Sequence, residues 1–214
     1  MEMPPASDGG PAMHWISFTR GTLAHFLHAH PVPSDDGAPR LGWIPAGPGA
    51  WRGYLDLSRA DGSIETIVHD YAVGDGGQGR PATVVGANDV VATAEPAGVL
   101  AIGGDRAPLD GGWSIERAVE EGAAFRAGEF YVLTFTLKDP QGRAAEPSPH
   151  EGARAHAFVL RHDGEVYVRL ASSDGEPGVL RFPYGFPQPG IYRAWIEVDT
   201  GDGLRAGAFD LRVR

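Results

Sequence analysis

Polar and apolar residues alternate along most of this chain. The runs His156-Ala157-Phe158-Val159-Leu160 and Glu165-Val166-Tyr167-Val168-Arg169-Leu170 flank Asp163-Gly164, a pattern that predicts a β-hairpin. Residues 130–137, 179–182, 192–198 and 206–213 also read as strands, the first of them ended by Asp139-Pro140-Gln141-Gly142. A helical period shows only faintly, over residues 114–121. The expected fold class is therefore all-β.

The strand pattern occurs twice. Pro48-Gly49-Ala50-Trp51-Arg52-Gly53-Tyr54-Leu55-Asp56-Leu57 aligns with Pro189-Gly190-Ile191-Tyr192-Arg193-Ala194-Trp195-Ile196-Glu197-Val198 at an offset of 141. The same offset pairs Phe26 with Tyr167, His28 with Arg169 and His30 with Ala171. Upstream the offset is 142, pairing His14 with His156; downstream it is 140, pairing residues 69–73 with 209–213. Single-residue slips of this kind fall in turns, where hairpin loops tolerate them. An internal repeat governs the whole reading of a fold, and this one predicts two tandem β-sandwich domains of immunoglobulin or cupredoxin type. Their expected bounds are 1–74 and 113–214, joined by a Gly/Ala/Pro-rich linker with accessory strands over 75–112. The strand at 130–137 has no counterpart in the first repeat: either residues such as 83–91 fill its place or, the favoured expectation, the first repeat lacks its N-terminal strands, as a start codon placed too far downstream would cause. Expected core residues are Ile16, Phe18, Leu55 and Leu57 in the first repeat and Phe158, Leu160, Ile196 and Val198 in the second. Trp51, Tyr54, Tyr192 and Trp195 are expected at or near the sheet faces.

Composition narrows the function classes. A net charge of −10, with one lysine and no basic stripe, argues against nucleic acid as a partner. The absence of cysteine removes disulfides, thiolate metal sites and thiol nucleophiles. No apolar run is long enough to span a membrane, and the first residues lack the pattern of a signal peptide.

His14, the His25-Phe26-Leu27-His28-Ala29-His30-Pro31 string, the Pro-Gly-aromatic-Arg strand and a closing Asp-aromatic strand together resemble bacterial secreted or membrane-anchored proteins with tandem YtkA-like domains. These have an immunoglobulin- or cupredoxin-like fold, and many are labelled heavy-metal-binding. The resemblance covers residues 2–73 and 113–214 and implies an extracytoplasmic binding module. The second repeat departs from the pattern, with Arg169 and Ala171 where the family has two histidines.

His28 and His30 are two apart on a strand, so they share a face with about 6.6 Å of rise between them. Imidazoles so placed suit copper, zinc or nickel. By the mapping onto the second repeat, where Val166, Val168 and Leu170 point inward, His28 and His30 lie on the outer face and His25 turns inward beside Leu27. The candidate metal residues are thus His28, His30 and His25; the third ligand is His25, Asp35 or an imidazole of another copy. The bland alternative is a solvated histidine pair beside Phe26. His14, which recurs as His156, reads as structural. The pairs Arg52/Asp56 and Arg193/Glu197 read as surface ion pairs. Gly74-Asp75-Gly76-Gly77-Gln78-Gly79 fits a dinucleotide motif in letters only, because no helix pattern follows. No catalytic constellation is evident, and the chain is expected not to be an enzyme. Two alternatives stand beside a non-catalytic metal-binding module. One is a structural or protein-interaction module without metal. The other is a cupin-like metal-dependent enzyme, for which His28, His30 and Asp35 approximate a first metal motif.

Overall fold

The computed structural model describes residues 13–33, 39–41, 48–59, 61, 63–74, 88–96, 104–118, 124–172 and 175–214. Two compact units emerge, Met1–Arg20 with Ala24–Thr93, and Gly21–Leu23 with Ala94–Arg214. The described residues form an all-β, sandwich-type protein whose strands pair antiparallel throughout.

In the first unit, β1 (Met13–Thr19), β2 (His25–Ala29), β5 (Gly49–Ser58), β6 (Ile64–Val73) and β7 (Val90–Thr93) form one sheet in the order β6-β5-β1-β2-β7. A two-stranded ribbon, β3 (Val32–Pro33) with β4 (Pro39–Arg40), accompanies it. One face of the sheet carries Ile16, Phe18, Phe26 and Tyr54, all buried, with Phe18 packed against Phe26 and Tyr54. The other carries Trp15, Trp51 and Tyr71 in mutual ring contact. Trp15 packs over Gly53, where a Cβ would come within 2.2 Å of its ring. A side chain is excluded there by packing rather than by backbone conformation.

The second unit is a two-sheet sandwich. β8 (Arg106–Pro108), β9 (Ser114–Arg117), β10 (Phe130–Lys138) and β13 (Val179–Gly185) make one sheet, ordered β13-β10-β9-β8. β11 (His156–Arg161), β12 (Tyr167–Ala171), β14 (Gly190–Asp199) and β15 (Leu204–Val213) make the other, ordered β12-β11-β14-β15. Leu133, Phe135, Leu137, Leu180 and Phe182 of the first sheet meet Ala157, Val159, Ala194, Ile196 and Val198 of the second in one core. Each large apolar side chain buried there contributes about 1.5–3 kcal/mol.

The repeat is present in the hydrogen-bond register itself. His14 lies opposite Asp56 and Trp15 opposite Ala29 in the first unit. In the second, His156 lies opposite Glu197 and Ala171. The pairing Arg52↔Asp70 recurs as Arg193↔Asp210. The offsets of 142, 141 and 140 read from the letters are thus the offsets of β1, β5 and β6 from β11, β14 and β15, and the sheet order is the same.

Several expectations are corrected. Residues 114–117 are strand β9, not helix, since Ile115 is needed in the core and pairs with Leu137. The segment 75–112, expected as a linker with accessory strands, does carry two described strands, β7 paired with β2 and β8 paired with β9. Phe158 and Leu160 are buried, but Phe158 stands opposite Trp195 and so on the face away from Ile196 and Val198. Leu55 and Leu57 are only partly buried and lie on the opposite face from Ile16 and Phe18. The Arg–carboxylate pairs are also different. Four residues along a strand span about 13 Å, so Arg52 reaches across to Asp70, and Arg193 to Asp210, instead of to Asp56 and Glu197. Asp56, Glu197 and Asp210 are all buried, not solvated.

Candidate metal centre

The short β1–β2 connection, with Gly21 at φ +75°, folds the His14 strand back on the His28 strand. The register puts Ile16 opposite His28 and Trp15 opposite Ala29. One step further, His14 falls level with His30 and diagonal to His28, all three on the face that carries Ile16 and Phe18.

Their rings converge. His14 Nδ1 and His28 Nε2 are hydrogen-bonded to each other at 3.2 Å. Ring centroids are 5.4 Å apart for His14 and His28, 5.0 Å for His14 and His30, and 4.9 Å for His28 and His30. One ring nitrogen of each falls within 4.8 Å of those of the other two. His14 is buried, His28 is fully buried and the His30 side chain is 28% exposed.

His30 is held from behind. Asp89, just before β7, accepts the His30 backbone N–H at 2.9 Å and the ring Nδ1–H at 3.1 Å with the same Oδ1. That contact makes Nδ1 the donor, so that in the neutral ring Nε2 is the nitrogen open to a ligand, as with the carboxylate behind a ligating histidine. On the other flank of His14, Asp56 accepts a hydrogen bond from Thr66 at 2.6 Å.

The expected outer face is therefore a buried one. His25 does not join the cluster. Strand alternation turns it to the opposite face, where its ring packs on Trp51 at 5.7 Å and burial lowers its pKa from the usual imidazole value. Asp35 and Gly76–Gly79 lie outside the described residues. His14, read from the sequence as structural, supplies the third imidazole. Its recurrence as His156 was the only signal at the sequence level, and it pointed away from a ligand role because the second repeat lacks the other two histidines.

The second unit shows what replaced them. Around His156 stand His150, Glu151 and Arg169, the residue equivalent to His28. Glu151 pairs with the Arg169 guanidinium, and its oxygens lie 3.4 Å from His150 Nε2 and 3.9 Å from His156 Nε2. A guanidinium is a permanent cation, so this arrangement is a charge pair flanked by imidazoles.

Residues 112–214 match the model of a family described as a domain of unknown function, DUF8832. The match covers the second repeat and contains none of His14, His28 and His30. No curated protein matches the chain. Among the described residues, no helix is long and apolar enough to cross a membrane.

Proposed function

We propose that the first repeat binds one divalent transition-metal ion through His14, His28 and His30, making the protein a non-catalytic binding module. The 3.2 Å separation of His14 Nδ1 and His28 Nε2 carries this reading. Two nitrogens bound to one tetrahedral ion at about 2.0–2.1 Å stand roughly 3.3 Å apart. The two rings already hold that spacing, with His30 turned toward them and oriented by Asp89. Three neutral imidazoles with no thiolate suit zinc, copper(II) or nickel. The resemblance to tandem YtkA-like proteins supports the same reading and, with it, an extracytoplasmic setting. The cupin alternative has less support, because the described strands of the first repeat form an open sheet and not a barrel.

Calorimetric titration of the full chain with zinc and copper(II) tests this. The expected result is one-to-one binding that is abolished in His28→Ala/His30→Ala, weakened at least tenfold in His14→Ala and unchanged in His25→Ala. Binding that survives the double substitution, in variants whose circular dichroism matches the parent, would overturn it. The protein would then be read as an interaction module without metal.

A further inference from the structure

The outermost described strand of the first unit, β6, has a strand on one side only, β5, with which it pairs without a break from Ile64 to Val73. Exposed edges of this length act as templates for another strand unless blunted by proline, lysine or a bulge. β6 has none of these. It also displays Ile64 at 60%, Ile67 at 45% and Val68 at 52% exposure, so both of its faces carry uncovered branched apolar side chains.

The second repeat treats the equivalent strand differently. Ile67 corresponds to Gly207 of β15, where a Cβ would lie 2.8 Å from Ala107 and 3.2 Å from Leu109. There the sheet containing β8 and β9 covers the strand, and a small residue is required. At the same place in β6 a large apolar residue faces outward.

We infer that β6 is a homodimer interface, at which two copies of the chain pair their β6 strands antiparallel about a two-fold axis through Ile67. The charge on the strand favours a second copy. Glu65 is paired with Arg59, and Asp70 with Arg52 and Arg20, so the net −10 of the chain is locally neutralised at this edge. With Ile67 on the axis, Glu65 of each copy falls opposite His69 of the other, on the same face as the Ile67 pair, and Thr66 falls opposite Val68. A symmetric pairing about the neighbouring Ile67–Val68 midpoint would oppose side chains of opposite faces, which an antiparallel ladder does not allow. Isologous contacts of this kind are self-complementary and close after two copies. Strand addition supplies main-chain hydrogen bonds to the edge.

The chain has no cysteine, so single thiols report the register directly. Opposed residues of an antiparallel pair have Cα atoms about 4.5–5.5 Å apart, which a disulfide spans. In Ile67→Cys the two thiols face each other. In Glu65→Cys they are separated by four residues along the strands, about 13 Å. The expected result is a light-scattering mass near twice 22.7 kDa for the full chain, rapid covalent dimerisation of Ile67→Cys under mild oxidation, and none of Glu65→Cys. Ile67→Lys, at a half-exposed position, should keep the native circular dichroism and run as a single chain. A single-chain mass for the unsubstituted protein at every concentration would overturn the proposal. So would Glu65→Cys or Phe130→Cys cross-linking as fast as Ile67→Cys, or a dimer that persists in Ile67→Lys.

Discussion

Arg193 and Asp210 face each other across β14 and β15 with both side chains fully buried, joined by two hydrogen bonds of 2.8 and 3.1 Å. The guanidinium also donates to the backbone carbonyls of Leu23 and Glu95, so the Nη1, Nη2 and Nε atoms all have acceptors. Their counterparts in the first repeat, Arg52 and Asp70, make the same two-pronged contact with Asp70 half-exposed.

Removing one partner of the buried pair strands the other charge in a medium that cannot solvate it. Arg193→Ala and Asp210→Ala should each cost about 3–5 kcal/mol in denaturant unfolding. Arg193→Met/Asp210→Leu, which removes both charges together, should cost less than either single change. Arg52→Ala should cost no more than about 1 kcal/mol, because water screens and replaces the exposed partner.

Two glycines are held by packing. Gly53→Ala drives a methyl group into the Trp15 ring, and Gly207→Ala drives one into Ala107. Each should cost about 1–3 kcal/mol, as overpacking does. Gly53→Ala should also change the near-ultraviolet circular dichroism, because the Trp15 ring must move; Gly207→Ala should leave that tryptophan signal largely intact.

Burial lowers the pKa of His25. The folded chain therefore takes up a proton there less readily than the unfolded chain. The contribution to stability is complete above the unfolded value of about 6.5 and is lost as the pH falls from there through the folded value. Stability measured with chelator between neutral and mildly acid pH should decline less steeply in His25→Asn than in the parent. Equal slopes would show that His25 does not carry this dependence.

Tyr71 and Tyr184 are both pushed up to about 12 by burial. The unfolded chain ionises these phenols near 10, so their contribution to stability falls as the pH rises between those values. In an alkaline absorbance titration of the six tyrosines, Tyr71→Phe and Tyr184→Phe should each remove one late-ionising equivalent. Loss of an early equivalent instead would contradict the burial of that phenol.

Most strands of the second repeat, the repeat with its three offsets, and the shared face of His28 and His30 were legible in the sequence, because each depends on local alternation and on turns a few residues long; β9 was not, its four residues being too few to separate a strand from a faint helical period. The cross-strand partners were not. His14 meets His28 across fourteen residues, and Asp70 rather than Asp56 meets Arg52 across eighteen. A strand neighbour four positions along is about 13 Å away, while a residue directly across the ladder is within about 5.5 Å. Burial was equally hidden. Period-two alternation separates the two faces of a strand without saying which is covered, so His28 read as lying on an outer face when it is fully buried, and Phe158 was grouped with Ile196 although a sheet divides them. The sequence by itself determined the elements and which side chains share a face. The pairing of strands and the covering of faces, which depend on contacts remote along the chain, made three histidines into one cluster and put β6 at the edge of the described sheet.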